Sequence, residues 1–312
     1  MVYFTYPLEW RFKMNETTLA KIQKEVAQDH STRVELIKAL EKNLGRRVLA
    51  FFTTFTFPAG IHQGDANMLE SVLRKMDLKK GLTLIISSPG GSGLEAERIV
   101  NVCRTYSNDD FEVLVPGQAK SAATIICFGA NQILMSKTSE LGPIDPQVTL
   151  EENETLKVFS IHNIIESYKS LFQRAVETKG KLEPFIAQLE HYDEREIAEY
   201  ARQVELSNDI AVKLLKLSMM KKLDRKTIQK KVDIFLQPFS TKVHGRPIFI
   251  DEAKKSGLKL VEIGVRSELW QFANEYYTRL NFLTNSRYLK VIESIDDSFS
   301  VVIPSRLPGN KK

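Results

Sequence analysis

The chain has 312 residues, of which 43% are hydrophobic and 27% are charged, and its formal net charge is +5. This composition is typical of a globular protein with room for one large domain or two ordinary ones. A nucleic-acid-binding protein would concentrate its basic residues in one stripe, whereas here they are spread along the chain. We therefore expect no nucleic-acid partner.

The first half of the chain alternates between strand and helix patterns. A helix is predicted over residues 14–43, and Gly45 ends it. The next predicted strands are RRVLAFFTTF (46–55), GLTLIISS (81–88), FEVLVPG (111–117) and QILMSKTS (132–139), and the helices between them are QGDANMLESVLRKM (63–76), GLEAERIVNVCRTY (93–106) and SAATIICFGA (121–130). This alternation predicts an α/β fold of βαβ units with a mostly parallel sheet.

The second half changes character at about residue 160. Long amphipathic helices are predicted over 160–180 and 194–223, without strands between them. They are candidates for subunit contacts, although packing against the core would explain them equally well. We predict three parts of the chain: an N-terminal helical extension (1–45), an α/β domain (46–265) and a C-terminal extension (266–312).

The cysteines and the N-terminus indicate a compartment. Cys103 and Cys127 lie in apolar surroundings without a disulfide or metal-ligand spacing, which predicts buried thiols. The N-terminus lacks the pattern of a signal peptide, and the longest apolar run is too short and too rich in Thr to cross a bilayer. We expect a cytoplasmic protein without an integral membrane segment.

Two glycine-edged corners follow neighbouring predicted strands. In SSPGGSG, Pro89 must end the strand, and Gly90 and Gly91 allow backbone torsions that other residues resist. The N–H groups at the head of the next helix would then suit a developing negative charge on a carbonyl oxygen. An ordinary turn or a phosphate loop is the alternative, but the Lys-Ser/Thr of a P-loop and the spacing of a dinucleotide fingerprint are missing.

The second corner, VPGQAKSAATIICFGA, places Ser121 among small residues at a predicted helix start. The small neighbours leave room for a substrate, and the hydroxyl would lie at the positive end of the helix dipole. Serine is also a common N-cap, so Ser121 alone favours a capping role.

Together, the two corners resemble the Clp protease proteolytic subunit and signal peptide peptidase A, which share the Clp/crotonase fold. Within this superfamily the chain is most similar to the serine dehydrogenase proteinase family. The resemblance rests on SPGG, AKSAATIICFGANQILM, LGPIDPQ and HGRPIFIDEAKKSGL, which occur in this order over roughly residues 46–262. It implies a Clp/crotonase-like spiral of βαβ units with helical N- and C-terminal extensions.

The resemblance also implies roles for residues. Ser121 would be the nucleophile, and the backbone N–H groups of Gly91 and Ala122 would form the oxyanion hole. The segment LGPIDPQ lies where the Clp subunit has its catalytic histidine, but this chain has Asp145 and Pro146 there. A Clp-type triad is therefore not expected. Asp145 would orient a base or cap a turn.

The sequence does not determine which residue is the base that activates the serine. Lys181 lies in TKGKLEPF, which loosely resembles the segment of signal peptide peptidase A that carries its lysine, and a lysine base needs burial to become neutral. His244 lies in TKVHGRPI, a segment similar to one in the serine dehydrogenase proteinase family, and histidine titrates near neutrality. His162 and Lys157 are further candidates.

The function expected is an ATP-independent serine endopeptidase that uses no cofactor or metal. Its partners would be peptides or unfolded protein segments, and further copies of the chain in a homo-oligomer. Two alternatives remain. A crotonase-like acyl-CoA enzyme would hold an enolate on the same amides and would not need Ser121. A catalytically inactive scaffold would keep the fold for assembly or peptide binding.

Overall fold

A computed structural model describes residues 17–24, 29–56, 59–152, 155–237 and 246–304. The helices are α1 (Thr18–Lys24), α2 (Ser31–Leu44), α3 (Asp65–Leu73), α4 (Gly93–Tyr106), α5 (Ala122–Phe128), α6 (Ile161–Glu177), α7 (Glu183–Leu189), α8 (Glu194–Leu217), α9 (Arg225–Lys231), α10 (Asp233–Leu236), α11 (Ile250–Lys255) and α12 (Glu268–Ser286). The strands are β1 (Arg47–Thr53), β2 (Leu82–Ser87), β3 (Phe111–Val115), β4 (Gln118–Ala119), β5 (Ile133–Met135), β6 (Glu140–Leu141), β7 (Gln147–Glu152), β8 (Thr155–Ser160), β9 (Ile248–Phe249), β10 (Leu260–Glu262), β11 (Tyr288–Glu293) and β12 (Ser298–Val302).

The main sheet has seven strands in the order β10-β5-β3-β2-β1-β11-β12. The five strands from β10 to β1 are parallel, and β11 and β12 continue the sheet in antiparallel pairing. A small separate sheet joins β4, β6 and β9. The expected α/β fold with a mostly parallel sheet is therefore confirmed.

Helices cover both faces of the main sheet, which is why its central strands are continuous apolar runs. Successive side chains of a strand point to opposite faces. In β1, Leu49 and Phe51 join the core beneath α3, α4, α5 and α8. Val48 and Phe52 join a second core beneath α2 and α12. The parallel strands lie between these two layers.

The C-terminal part adds strands that the sequence analysis did not predict. β11 pairs with β1, and its Glu293 is fully buried. Arg33 of α2 donates to both carboxylate oxygens of Glu293, at 2.8 and 2.7 Å, and the hydroxyl of Tyr276 in α12 donates to the same carboxylate at 2.9 Å. This network ties α2, α12 and β11 to one another. The predicted boundaries of the terminal extensions stay predictions.

The long helices of the second half are present as α6 and α8, with the hairpin of β7 and β8 before them. The hairpin was not predicted. This region exposes large apolar side chains, among them Leu150, Val158 and Phe172. Within the described ranges, no helix is long and apolar enough to cross a membrane.

A buried ion pair links the C-terminal strands to the loop that precedes α3. Lys290 of β11 lies 2.7 and 2.6 Å from the two carboxylate oxygens of Asp65, and both residues are buried. The same carboxylate accepts the N–H of His62 at 2.8 Å. The loop also contains Ile61, which bridges to Gly91. The ion pair therefore supports one side of the first corner.

We predict that Asp65→Asn lowers the free energy of unfolding by about 3–5 kcal/mol, because it leaves the Lys290 ammonium buried without its counter-charge. Chemical denaturation measures the change. Glu35→Gln is the matched control, since Glu35 forms an exposed ion pair with Lys38 whose loss has little effect. Equal stability of the Asp65→Asn variant and the parent would contradict the assigned role of the ion pair.

Candidate active site

Backbone pairing joins the two corners at the carboxyl ends of β2 and β3. The N–H of Ser88 donates to the carbonyl of Gln118 at 3.3 Å, and the N–H of Lys120 donates to the carbonyl of Ser88 at 3.0 Å. The side chain of Ser88 accepts the hydroxyl of Thr53 at 2.8 Å and the N–H of Gly90 at 3.1 Å. Clefts in parallel α/β sheets form at this edge.

Gly90 and Gly91 occupy backbone conformations and spaces that suit glycine. Their φ angles are 108° and 141°. A Cβ on Gly90 would lie 2.7 Å from the carbonyl oxygen of Lys120 and 2.7 Å from the Cβ of Ser121. A Cβ on Gly91 would overlap the backbone of Ile61. The first corner can therefore approach the serine closely only because it lacks side chains.

Ser121 has φ 49° and ψ −116°, although it is not a glycine. Such torsions are strained for an L-residue and are found preferentially at functional sites. Ser121 directly precedes α5, yet its side chain makes no capping hydrogen bond. The capping role that we considered for Ser121 is therefore wrong. Its hydroxyl is left available, and the residue is half-buried.

Two backbone N–H groups lie beside this hydroxyl without an acceptor among the described residues. The bridge between Ile61 and Gly91 uses the carbonyl of Gly90 and the N–H of Ser92, so the N–H of Gly91 stays unused. The N–H of Ala122, the first residue of α5, also has no partner in that part of the chain. Gly91, Ser121 and Ala122 line one cavity of about 260 Å³.

The remaining walls of this cavity come from three segments. They are the start of α4 (Ser92, Gly93 and Leu94), α5 with the loop after β6 (Ile125, Ile144, Pro146 and Gln147), and α8 (Gln203, Leu206, Ser207 and Ile210). The sequence analysis did not assign α8 to the site. The sequence feature that could have indicated this wall is the spacing of Leu206 and Ile210, which places two apolar side chains on one face of the helix.

The lysines proposed as bases do not line the cavity. Lys181 is exposed in the connection between α6 and α7, and Lys157 is exposed on β8. Lys120, which is adjacent to Ser121 in sequence, lies 2.5 Å from the carboxylate of Glu140 in an ion pair. His244 lies outside the described residues, so its expected role stays a prediction.

His162 lies at the start of α6 and is 7% exposed. Burial lowers the pKa of its imidazole, whereas the nearby carboxylate of Asp145 acts in the opposite direction. Its Nε2 atom is buried and accepts or donates no hydrogen bond within the described ranges. Asp145 is buried too and accepts the hydroxyl of Ser160 at 3.0 Å. The carboxylate of Asp145 therefore acts on the His162 imidazole through its charge.

His162 and Asp145 do not line the cavity, but residues next to Asp145 do. Ile144 and Pro146 line the cavity on either side of Asp145 in sequence, and the N–H of Ile161 donates to the carbonyl of Pro146 at 3.0 Å. The start of α6, which carries His162, is thus fixed to the segment that forms the cavity wall.

The cysteines play no part in this arrangement. Cys103 and Cys127 are fully buried, as predicted, and neither lines the cavity. Burial raises the pKa of the Cys103 thiol to about 12 and that of the Cys127 thiol further. In the part of the chain that the structure describes, no group of three or more His, Cys, Asp or Glu side chains is placed to hold a metal ion.

The fold belongs to the Clp/crotonase-like class of α/β proteins, as the sequence resemblance implied. The sequence profile of a family described as ClpP-like SDH-type serine proteinase matches residues 10–169, which is half of the chain. The chain belongs to this family of serine proteinases.

Individual relatives and solved structures have low sequence identity to the chain. The chain is 25% identical over 138 residues to the uncharacterized protein MJ0137 of Methanocaldococcus jannaschii and 27% identical over 124 residues to MJ1495 of the same organism. These matches span 44% and 37% of the chain but less than half of each relative, 46% and 42%.

Solved structures similar to the chain include ClpP1 from Listeria monocytogenes, with 14% identity, 74% of this chain and 95% of that chain covered, and a TM-score of 0.38. A mutant of the 1510-N membrane-bound stomatin-specific protease is also 14% identical, with 70% and 79% covered and a TM-score of 0.32.

We predict that Gly90→Ala destabilises the protein more than Gly64→Ala, by about 1–3 kcal/mol of unfolding free energy. Both glycines have positive φ, 108° and 99°, but a Cβ on Gly64 would meet nothing within 4 Å. The difference between the variants, measured by chemical denaturation, isolates the close approach to Ser121. Equal losses would contradict the contact between the corners.

We predict a pH dependence of stability that originates at His162. Above its ordinary pKa of 6.5 the imidazole is neutral in both the folded and the unfolded state, so its burial does not make stability depend on pH there. Below this pH the unfolded chain binds a proton that the folded chain excludes, and stability falls by at most about 1.4 kcal/mol per pH unit.

Denaturation between pH 5 and pH 7, about the range in which unperturbed histidine titrates, measures this slope. His162→Gln should reduce it, whereas His191→Gln, at an exposed histidine, should keep it. An unchanged slope in His162→Gln would contradict the prediction.

Proposed function

We propose that the protein is an ATP-independent serine endopeptidase in which the hydroxyl of Ser121 attacks a peptide carbonyl. The Ser121 oxygen forms a bond to the carbonyl carbon, and its proton passes to a base. The N–H groups of Gly91 and Ala122 donate to the oxyanion that develops. The base then protonates the leaving amine, and water hydrolyses the acyl enzyme by the same route.

The single observation that carries this proposal is the cavity shared by Ser121 and the two unused amides. An unstrained serine with a capping bond would need no functional explanation, but Ser121 has positive φ and no capping bond. The amide of Gly91 takes no part in the bridge to Ile61, which uses Gly90 and Ser92, and it has no other acceptor within the described residues. A strained hydroxyl beside unpaired donors suits nucleophilic attack on a carbonyl.

Lysine and histidine both remain candidates for the base. His162 has support from its burial, its unpaired Nε2 atom and the charge of Asp145, which raises the pKa of the imidazole against the effect of burial. For His244, support comes from the described residues that flank its segment. Phe235 accepts the N–H of Ile144 at 2.7 Å, and Ile248 pairs with Leu141. Both flanks thus lie against the loop that carries Asp145. Lys181 would serve from a neighbouring copy of the chain.

Peptides or unfolded protein segments are the proposed substrates, and no cofactor takes part. We further propose a cytoplasmic homo-oligomer, because the hairpin of β7 and β8 with α6 exposes apolar side chains that another copy would cover.

We predict that a fluorophosphonate probe labels Ser121, with formation of the oxygen–phosphorus bond and loss of fluoride. Ser121→Ala should abolish labelling, and Ser71→Ala, at an exposed serine of α3, should not. Labelling should increase with pH as the base loses its proton. Peptide mass spectrometry locates the adduct. Folded protein without an adduct would contradict the peptidase and favour the scaffold or the acyl-CoA enzyme.

The same assay identifies the base. The variants His162→Gln, His244→Gln and Lys181→Met each remove one candidate. Loss of the base should slow labelling by about 10²–10⁴-fold and remove its pH dependence. Three variants that all keep the parent rate and pH profile would exclude these groups as bases, while the adduct on Ser121 would still support the nucleophile.

A further inference from the structure

We infer that the cavity beside Ser121 is a subsite for one uncharged, branched aliphatic side chain on the acyl side of the scissile bond, with Ser207 and Ile210 of α8 as specificity-determining residues. This inference rests on the proposed function. The side chain on the acyl side is attached to the carbon next to the attacked carbonyl. The cavity lined by Ser121 and Gly91 adjoins the attacked carbonyl and must therefore receive this side chain.

The cavity is apolar on its inner side. Ile125 of α5 and Ile210 of α8 are 1% and 3% exposed and form its buried wall. Leu94 and Leu206 are 59% and 46% exposed and stand at its rim. Burial of an aliphatic side chain against such a surface is favourable because it removes apolar area from water. The exposed rim leucines gain the most from a substrate that covers them.

The polar groups of the cavity carry no charge. Its side-chain hydroxyls and amides come from Ser92, Ser207, Gln147 and Gln203, in addition to Ser121 itself, and no charged residue lines it within the described part of the chain. A Lys, Arg, Asp or Glu side chain would lose water there without meeting an opposite charge, which is unfavourable. The subsite should therefore select against charged residues.

Gly93 sets the size of the subsite. A Cβ added at Gly93 would lie 3.5 Å from the Cδ1 of Ile125, 3.9 Å from the Cδ1 of Ile210 and 3.9 Å from the hydroxyl of Ser207. These are ordinary contact distances, so a single methyl group at this position fits between α4, α5 and α8 without a clash. A larger side chain at position 93 would extend further into the cavity and narrow the subsite.

The α8 wall lies beyond the segment that matches the family profile, residues 10–169. The proposed nucleophile and oxyanion donors fall within that segment, whereas Ser207 and Ile210 do not. The specificity of this chain therefore depends on residues outside the part that defines its family.

The experiment uses peptidyl diphenyl phosphonates, in which the serine oxygen displaces phenoxide from phosphorus. Probes that differ only in the side chain next to phosphorus (Ala, Leu, Lys or Glu) are compared by their rates of labelling of Ser121. We expect the Leu probe to react at least about tenfold faster than the Lys and Glu probes, the range that pocket contacts provide.

Three variants test the assigned residues. Gly93→Val fills the subsite and should lower the Leu-to-Ala rate ratio about tenfold. Ile210→Ala should lower it as well, through the lost contact. Ser207→Asp should raise the Lys-to-Leu ratio about tenfold or more, through a new counter-charge. Ala201→Asp adds the same charge at an exposed position of α8 outside the cavity and should leave the ratios unchanged.

The outcomes distinguish failure of the proposed subsite from failure of the proposed peptidase activity. Equal rates for all four side chains, or ratios that no variant changes, would overturn the subsite while the fluorophosphonate adduct still supports the peptidase. Failure of every probe, the fluorophosphonate included, on folded protein would overturn both. The predicted rate order, together with the raised Lys-to-Leu ratio in Ser207→Asp, supports the subsite.

Discussion

The candidate site depends on one pairing, that of the Ser88 backbone with Gln118 and Lys120 on the neighbouring corner. Parallel strands that end at the same sheet edge bring their following turns close together, but they do not fix the distance between them. The two hydrogen bonds of Ser88 fix it, and glycine at position 90 removes the side chain that would hold the corners apart. The close approach of Gly90 to Lys120 and Ser121 follows from these two features.

Strain at Ser121 requires a rigid support. α5, which follows it, is buried at every residue from Ala122 to Phe128. The hydroxyl of Thr124 lies 2.9 Å from the carbonyl oxygen of Ala119 and 2.9 Å from that of Gly142, and it shares its one proton between them. These contacts connect the residues before and after Ser121 with Gly142, which follows β6. The backbone of Ser121 therefore cannot change its torsions without breaking buried contacts. The small side chains of Ala122 and Ala123 are enclosed by the core and leave the cavity open.

The helices and strands that the sequence predicted correctly are those defined by patterns of neighbouring residues. The helix 93–106 is predicted with its observed bounds because Ser92 caps it and Gly93 begins it. The hairpin of β7 and β8 was missed because its apolar residues, such as Leu150 and Val158, are exposed and interspersed with Thr and Glu, so its strands lack the pattern of buried ones. β11 was missed because its place beside β1 depends on the buried pairing of Glu293 with Arg33, 260 residues apart in the chain. The α8 wall of the cavity likewise depends on tertiary packing.

The electrostatics of the site connect the choice of base to assembly. A lysine accepts a proton only when it is neutral, and this requires removal of its hydration. Lys120 is already compensated by Glu140, and Lys181 is open to solvent in the single chain. A role for Lys181 therefore needs a second copy to cover it and bring it to Ser121. A histidine requires no such cover, since its neutral form prevails near pH 7. A lysine base would therefore require oligomerisation, whereas a histidine base would need no second copy to be neutral.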